Sequence, residues 1–307
     1  MKPSAFRYHA PTNLAEALEA LDAVGHDGKV LAGGQSLIPM LNMRLAAPAH
    51  LVDINGLAEL SYVRTDPGGV AVGALARHAE VEADDAAYAA VPLLRQGLRL
   101  VAHPVIRNRG TTVGSLAHAD PSGEMTAVLA LLGGSVVLAR KGSTRTVAAE
   151  DFFVGPLEAC IETGELAVSA YFPRLPGRTG TEFVETARRH GDYAICGVAA
   201  AVTLDDDLRI VSARAAYLSI SSTPLVLDLT DALIGRTADT AIWRDAVTLA
   251  TSRIDPEPDI HATAEYRAQV AGVLTARALR TATERAATTD PNAPGSTGTT
   301  GTNERSA

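Results

Sequence analysis

The chain has 307 residues, of which 47% are hydrophobic, and it carries 27 lysines and arginines against 35 aspartates and glutamates. The apolar fraction is that of a folded protein, and the length suits two domains. The formal net charge of −8 argues against nucleic acid as a partner and against an anionic membrane surface. We also expect no membrane span, because no apolar run approaches the roughly 20 residues required. The opening residues lack the apolar core of a signal peptide, so we expect a cytoplasmic protein.

The first 55 residues predict a small layered α/β unit. Apolar spacing and turn residues place strands at 6–8, 29–32 and 50–54, and helices at 14–21 and 37–45. The stretch from Glu59 to Phe172 mixes short strands with helices. We expect strands at 70–73 and 166–172, helices at 92–101 and 127–132, and a hairpin that pairs 135–138 with 144–147 across Lys141-Gly142.

Residues 173–180 contain two prolines and two glycines and predict an interdomain linker. Three strand-like runs follow, including 194–204 and 208–220, with Asp205-Asp206-Asp207 as a solvated turn between those two. Helices are expected at 243–253 and 262–286. This half of the chain therefore predicts an antiparallel sheet with helices on one side. From Ala287 onward the sequence is too poor in apolar residues to fold, so we expect a disordered tail.

The two cysteines limit the metal chemistry of the chain. An iron–sulfur cluster normally takes four cysteine ligands, so the chain should not hold one by itself, and a Cys-rich zinc site is excluded on the same count. Cys196 lies in an apolar run and is interpreted as a core residue rather than a nucleophile. His118 and Asp120 suggest a metal pair or an acid–base dyad. No third ligand is visible near them, and we expect no metal.

Two glycine-bearing loops carry the functional signal. The first comprises Ala32, Gly33, Gly34, Gln35, Ser36 and Leu37, between a strand and a helix. Its backbone N–H groups can form an anion-binding nest, although a tight strand-to-helix turn explains the same residues. The second runs from Arg107 to Pro121 and combines small residues, hydroxyl donors and a carboxylate. Two such loops indicate a dinucleotide in a cleft between subdomains. The absence of Gly-x-Gly-x-x-Gly disfavours a nicotinamide-dependent Rossmann enzyme.

The order of these segments resembles one known family. The matching residues are Phe6-Arg7-Tyr8, Ala32 to Leu37, Arg107-Asn108-Arg109-Gly110-Thr111, Gly114-Ser115-Leu116-Ala117-His118-Ala119-Asp120-Pro121, Arg189-His190-Gly191-Asp192-Tyr193-Ala194 and Ala264-Glu265-Tyr266-Arg267. Over residues 1 to 285 the chain is similar to the FAD-binding medium subunits of the molybdenum hydroxylases, which include those of carbon monoxide dehydrogenase and xanthine dehydrogenase.

The resemblance implies an α+β fold. A two-subdomain FAD-binding fold of the vanillyl-alcohol-oxidase (PCMH) type would cover 1–55 and 56–175. An α+β C-terminal domain with an antiparallel sheet and helices would cover 180–286, before the tail at 287–307.

The resemblance also implies the site. The first loop would hold the FAD pyrophosphate, and Tyr193 would lie near the isoalloxazine. The second clamp would comprise Thr111, Thr112, Val113, Gly114 and Ser115. Val113 stands where the family often has a glycine. Glu124 or Asp120 would contact FAD hydroxyls, and His118 and Val168 complete the expected set. No residue of the chain is expected to act as a covalent catalyst.

The partners follow from the same resemblance. A large molybdopterin subunit and a small 2Fe–2S subunit would join this chain, as a dimer of heterotrimers. The chain would take electrons from the small subunit and pass them to an external small-molecule acceptor such as a quinone, NAD or O₂. Two alternatives stay open at this point: a free-standing flavin oxidoreductase of similar fold, and a structural subunit that has lost FAD.

Overall fold

The computed structural model describes residues 2–237 and 240–289; the side chains of 240–242 are not described. The first unit is a parallel three-stranded sheet in the order β1–β3–β2. Its elements are β1 (Arg7–His9), α1 (Leu14–Val24), β2 (Gly28–Leu31), α2 (Leu37–Asn42) and β3 (His50–Asp53). The predicted α/β unit is confirmed. Helix α2 ends three residues before the predicted end, where Arg44 adopts a left-handed conformation (φ 57°) that a right-handed helix excludes.

The second unit is an antiparallel sheet in the order β4–β5–β10–β6–β7. Its strands are β4 (Val63–Asp66), β5 (Gly69–Gly73), β6 (Ser135–Arg140), β7 (Ser143–Ala148) and β10 (Leu166–Pro173), with a small pair β8 (Phe153–Gly155) and β9 (Glu158–Ala159) beside it. Its helices are α3 (His78–Ala83), α4 (Asp85–Ala90), α5 (Pro92–Leu98), α6 (Pro104–Arg107), α7 (Thr112–His118), α8 (Glu124–Leu132) and α9 (Ala149–Phe152).

The predicted hairpin is confirmed, with Arg140 opposite Ser143 and Gly142 in a left-handed conformation (φ 80°) at the turn. Helix α8 begins three residues before the predicted start, because Gly123 is extended and serves as its N-cap. Helix α5 ends at Leu98 rather than 101.

The C-terminal unit is an antiparallel sheet in the order β11–β12–β13–β14, packed against a long helix. Its elements are β11 (Arg178–Thr186), β12 (Cys196–Leu204), β13 (Ile210–Leu218), β14 (Leu225–Asp228), α10 (Thr230–Leu233), α11 (Thr240–Thr251) and α12 (Ala264–Thr288). The sheet and its helices are as predicted, but it has four strands rather than three runs. The acidic turn is confirmed, since the Asp205 carboxylate accepts from the N–H groups of Asp207 and Arg209.

The linker predicted over 173–180 is shorter in the structure. Pro173 is the last residue of β10, and β11 begins at Arg178, so that only residues 174–177 connect the two sheets. Gly180 is a strand residue opposite Val202. A Cβ there would lie 3.0 Å from the Cα of Ala286. This glycine therefore permits close approach of the helix backbone rather than flexibility.

Strand β12 of the C-terminal sheet separates two hydrophobic cores. Ala199 and Ala201 face the core that includes α8, whereas Val198 and Val202 face the core beneath α12. Cys196 belongs to the second core, as predicted; it is fully buried, and burial raises the pKa of its thiol to about 12. A strand buried on both faces packs the C-terminal sheet firmly against the middle unit.

Helix α12 begins and ends two residues later than predicted, at 264–288 rather than 262–286, so Ala287 and Thr288 of the predicted tail are helical. The rest of the predicted tail, residues 290–307, lies outside the described residues. Within 2–237 and 240–289, no helix is both long and apolar enough to cross a membrane.

Candidate cofactor site

The first glycine loop lies at the carboxyl end of β2 and leads into α2. Gly34 has φ 76°, in the left-handed region that favours glycine. The Gln35 side chain donates from Nε2 to the Gly33 carbonyl oxygen over 3.2 Å. The backbone N–H groups of residues 33–36 find no acceptor among the described residues. Orphan donors on one loop are what an anionic ligand satisfies.

The second loop lies directly against the first. A Cβ on Gly33 would lie 2.5 Å from the carbonyl oxygen of Arg109 and 2.8 Å from the Cα of Gly110. Real Cβ atoms do not approach this closely, so the two loops meet backbone to backbone only because residue 33 is glycine. The predicted proximity of the two loops is thus present in the fold.

A network of side chains fixes this junction. Asn55 donates from Nδ2 to the Ala32 carbonyl oxygen over 2.9 Å. Arg77 donates to Asn55 Oδ1 and to the Arg109 carbonyl oxygen, both over 2.7 Å. Asp53 accepts from the Asn55 backbone and side chain and from the Tyr8 hydroxyl. Burial opposes ionisation of Asp53, but these donors and the Arg109 charge together lower its pKa.

A cavity of about 370 Å³ opens at the junction, lined by residues 31–35, Ile38 and Pro39 together with Asp53, Asn55 and Arg109. It combines unpaired backbone N–H donors with the exposed guanidinium of Arg109, which is the donor set that a pyrophosphate requires. The residues present therefore fit the phosphate portion of FAD.

The second loop, predicted over Arg107 to Pro121, is mostly helical, because α7 occupies Thr112–His118 within it. The Thr111 hydroxyl caps it by accepting the Gly114 N–H over 3.1 Å. Thr112 and Val113 are buried as whole residues, and the Thr112 N–H donates to the Ala76 carbonyl oxygen over 3.3 Å, so these two residues support the helix start from within the core. Ser115 is half-buried. A valine in place of a second glycine is accommodated here because its side chain points into the core.

His78 stabilises the second loop through two hydrogen-bond contacts. Its N–H donates to the Gly110 carbonyl oxygen over 2.9 Å, and its ring Nδ1 lies 3.2 Å from the Thr112 hydroxyl. Burial, together with the charge of Arg107, lowers the pKa of this histidine to about 4. The ring is therefore neutral at physiological pH and serves as a structural hydrogen-bond partner.

A second group of predicted residues lies beyond α7. His118 Nε2 and Asp120 Oδ2 are 4.0 Å apart, and the described residues contain no group of three side chains that could hold a metal ion. Glu124 is the first residue of α8, and burial raises its pKa to about 7. Tyr193 is 70% exposed, and the pKa of its phenol is raised by desolvation and by the charges of Asp120 and Glu124.

Contacts between the units hold this second group in place. Ser219, directly after β13, donates its backbone N–H to the Pro121 carbonyl oxygen over 2.8 Å, and its hydroxyl oxygen lies 2.8 Å from Ser122 Oγ. The Ser219 hydroxyl also contacts the carbonyl oxygen of Ala194 over 2.7 Å. The segment after Asp120 and the segment after Tyr193 are thereby tied to one another.

Of the predicted site residues, Ala32, Gly33, Gly34 and Gln35 line the junction cavity. The predicted clamp at 111–115 follows Arg109 and Gly110, which meet Gly33, but is not among the residues that line this cavity. Asp120 and Glu124 lie close enough to Tyr193 for their charges to raise the pKa of its phenol. Val168 lies apart, on β10, where its carbonyl oxygen accepts the Ala74 N–H.

Sequence reasoning missed four residues of the junction: Asp53, Asn55, Arg77 and Arg109. The sequence did contain a signal for two of them. Asp53 and Asn55 lie at the carboxyl end of β3, which is parallel to β2, and the carboxyl ends of parallel strands meet at one edge of the sheet.

Known proteins match this chain over most of its length. Residues 4–175 match the family described as "FAD binding domain in molybdopterin dehydrogenase", and residues 181–282 match "CO dehydrogenase flavoprotein C-terminal domain". The 6-hydroxypseudooxynicotine dehydrogenase complex subunit alpha of Paenarthrobacter nicotinovorans is 39% identical, over 93% of this chain and 97% of its own length. The carbon monoxide dehydrogenase medium chain of Afipia carboxidovorans is 34% identical, over 93% and 99%.

Solved structures show the same similarity. Carbon monoxide dehydrogenase of Hydrogenophaga pseudoflava superposes with a TM-score of 0.88 at 33% identity, covering 93% of this chain and 99% of the other. Quinoline 2-oxidoreductase of Pseudomonas putida 86 gives 0.88 at 36% identity, with the same two coverages. This chain therefore belongs to the FAD-binding medium subunits of the molybdenum hydroxylases, and it is an FAD-binding oxidoreductase subunit of that α+β fold.

Proposed function

We propose that FAD lies with its pyrophosphate at the junction of the two loops and with its isoalloxazine toward Tyr193. The observation that carries this proposal is the junction itself, where Gly33, Gly34 and Gln35, whose N–H groups have no acceptor among the described residues, and Arg109 line a cavity of about 370 Å³. Asp120 and Glu124 would accept from FAD hydroxyls. In this proposal Val168 acts indirectly: it lies on β10, and β10 packs against α7. The retained donor set argues against a structural subunit that has lost its cofactor.

The chain's role in this proposal is to hold the flavin between two electron-transfer partners. FAD supplies the chemistry, since it exchanges electrons singly or in pairs, and the protein supplies binding, orientation and electrostatics. Electrons would arrive from a 2Fe–2S subunit and leave to an external acceptor. The whole sequence has two cysteines, too few for a typical cluster, which supports placing the iron–sulfur centre on another chain.

The assembly we propose contains a large molybdopterin subunit and a small 2Fe–2S subunit, as a dimer of heterotrimers. The names of the relatives support a multi-subunit complex, since one is a "complex subunit alpha" and others are medium chains. We propose residues 1–55 and 56–175 as the two FAD-binding subdomains and the region of 180–286 as the C-terminal domain. Their separate sheets support this division.

Co-expression with the two candidate partner chains tests the proposal. We expect a complex that elutes with all three chains, contains FAD after acid release, and has the mass of two heterotrimers by light scattering. A flavin-loaded chain that stays alone and oxidises a substrate itself would favour the free-standing oxidoreductase. A folded complex without flavin, after supply of FAD, would overturn the cofactor assignment.

A further inference from the structure

Ser219 has a strained backbone conformation where the middle and C-terminal units meet. It follows β13 directly, and its φ of 59° lies in the left-handed region, which residues other than glycine rarely adopt. Such a conformation costs free energy and persists only where the surrounding structure holds it. The contacts of Ser219 therefore indicate what the conformation achieves.

The polar groups of Ser219 bind three different segments of the chain. Its N–H donates to the carbonyl oxygen of Pro121 over 2.8 Å. Its hydroxyl donates to the carbonyl oxygen of Ala194 over 2.7 Å. Because a hydroxyl has a single proton, the Ser122 hydroxyl 2.8 Å away is the donor in that second contact. The Ser219 carbonyl oxygen accepts from Nη1 of Arg267 on α12 over 3.0 Å.

Arg267 reinforces this arrangement from α12. Its side chain is buried, and Nη1 donates to the carbonyl oxygen of Ile195 over 2.5 Å as well as to that of Ser219. Nη2 pairs with the Asp259 carboxylate at 2.5 Å, which compensates the buried charge. The planar guanidinium serves these acceptors in fixed directions. The carbonyl oxygens of residues 194 and 195 are therefore both fixed, one by Ser219 and the other by Arg267.

The segments that these contacts join carry two of the predicted site residues. Tyr193 immediately precedes Ala194, and Asp120 immediately precedes Pro121. After desolvation, the charge of Asp120 is the next cause that raises the pKa of the Tyr193 phenol, so the two side chains lie close together. Because Tyr193 is 70% exposed, its place depends on the backbone that follows it rather than on side-chain packing. Ser219 thus lies between these two backbones, with a hydrogen bond to each.

Ser219 and Arg267 are themselves committed to protein partners. The N–H, hydroxyl and carbonyl groups of Ser219 are all engaged. Arg267 is 5% exposed, and both of its terminal nitrogens already have protein acceptors. A role of either residue in the site must therefore run through the residues that it holds.

We propose that Ser219 and Arg267 are positioning residues of the FAD site, which hold Tyr193 at a fixed place against Asp120. The proposal rests on the function proposed above, in which the isoalloxazine lies toward Tyr193. The contacts to three segments explain why the left-handed conformation of Ser219 persists. A site that is ordered before binding loses less entropy when the cofactor enters, so the arrangement favours FAD binding.

Hydrogen exchange of the purified chain tests the link independently of FAD. Ser219→Ala removes the hydroxyl and keeps the N–H bond to Pro121. We expect the backbone amides of residues 192–195 to exchange about fivefold faster or more, because one hydrogen bond is lost, while those of β12 should not change. Ser222→Ala is the matched control. This exposed serine makes no side-chain hydrogen bond to any described residue, and its loss should change exchange by less than about twofold.

Arg267→Lys supplies a second variant. Lysine keeps a positive charge for Asp259 but lacks the planar fork that serves two carbonyl oxygens. We expect faster exchange over the same residues 192–195, again by about fivefold or more. Unchanged exchange there in both Ser219→Ala and Arg267→Lys would overturn the link.

The affinity for FAD tests the positioning role in the purified complex. We expect Ser219→Ala to weaken FAD binding about threefold or more, because Tyr193 is less well placed. In a Tyr193→Ala background the same change should alter FAD binding by less than about twofold, since the residue to be positioned is gone. Native affinity in Ser219→Ala, or an equal loss in both backgrounds, would overturn the proposal. Native affinity in Tyr193→Ala would instead overturn the proposed place of the isoalloxazine beneath it.

Discussion

Asn55 donates a hydrogen bond from Nδ2 to the carbonyl oxygen of Ala32 over 2.9 Å. The bond ties the end of β3 to the start of the glycine loop. Because Arg77 in turn donates both to Asn55 and to the Arg109 carbonyl oxygen, the two loops are held by one chain of hydrogen bonds. A loop held in this way presents its N–H groups in a fixed direction, and the ordering cost is met on folding rather than on binding.

The contact at Gly33 is expected to be essential for FAD binding. Gly33→Val places a side chain into the backbone of Arg109 and Gly110, so the loops must separate. We expect FAD occupancy to fall at least about tenfold, or ~1.4 kcal/mol, while the circular dichroism spectrum is kept. Gly155→Ala is the matched control, since its Cβ would meet its nearest neighbour at an ordinary 3.5 Å. Full occupancy in Gly33→Val would contradict the proposed pyrophosphate site.

Removal of the Asn55 amide is expected to weaken both the fold and the site. Asn55→Ala leaves the Ala32 carbonyl without its side-chain donor and takes an acceptor from the half-buried Arg77. A cost of about 1–3 kcal/mol in the free energy of unfolding follows from unpaired groups of this kind. Urea denaturation measures it. Asn108→Ala should cost much less, because the exposed Asn108 side chain makes no hydrogen bond to any described residue. Equal losses would show that the network contributes little.

The two carboxyl groups of Glu124 and Glu185 predict a pH dependence. Burial, and secondarily the charge of Glu124, raises the pKa of Glu185 to about 8, and its Oε2 is buried with no partner among the described residues. The carboxyl groups of Glu124 and Glu185 therefore bind protons more tightly in the folded state than in the unfolded chain, where a glutamate pKa is near 4.5. The two protonated carboxyl groups contribute fully to the free energy of unfolding below pH 4.5, and this contribution is lost as pH rises through about 7 to 8.

Thermal unfolding between pH 5 and pH 9 measures this effect. The Tm of the native chain should fall with rising pH more steeply than that of Glu185→Gln, which cannot ionise. Glu150→Gln, at an exposed position, is the matched control and should leave the slope unchanged. A native slope identical to that of Glu185→Gln would mean that Glu185 is ionised throughout.

The ion pair at Arg267 is expected to matter far more than a surface pair. Arg267→Gln removes a buried guanidinium that serves two carbonyl oxygens and the Asp259 carboxylate. We expect a loss on the order of 3 kcal/mol in the free energy of unfolding. Arg236→Gln breaks an exposed pair with Asp245 and should cost about 1 kcal/mol or less. Similar costs for the two variants would contradict a role for the Arg267 guanidinium in holding the Ile195 and Ser219 carbonyl oxygens.

The same pair predicts acid sensitivity. Burial opposes ionisation of Asp259, but donation from Arg267 and from two backbone N–H groups outweighs it and holds the pKa at about 2. A lowered pKa contributes stability above the ordinary value near 3.8, and that contribution is lost as pH falls through about 2. In acid titrations followed by fluorescence, Asp259→Asn should therefore lose less stability between pH 4 and pH 2 than the native chain.

Local patterns in the sequence determined much of this protein. The period of Leu14–Leu21, the hairpin at Lys141-Gly142 and the two glycine loops depend on backbone preferences and apolar spacing within a few residues. Motifs in a fixed order also indicated the family, the fold class and FAD, because cofactor loops demand particular small residues at particular spacings.

The tertiary structure alone decided the rest. Only packing shows that Gly180 lies under a helix rather than in a linker, because the reason for the glycine is a backbone over a hundred residues away. Arg77 became a site residue, and Arg267 a link to the Ile195 carbonyl oxygen, through partners far along the chain. Periodicity reports which face of an element is buried, but not which distant carbonyl or carboxylate that face meets. Such contacts exist only after the sheets have packed together.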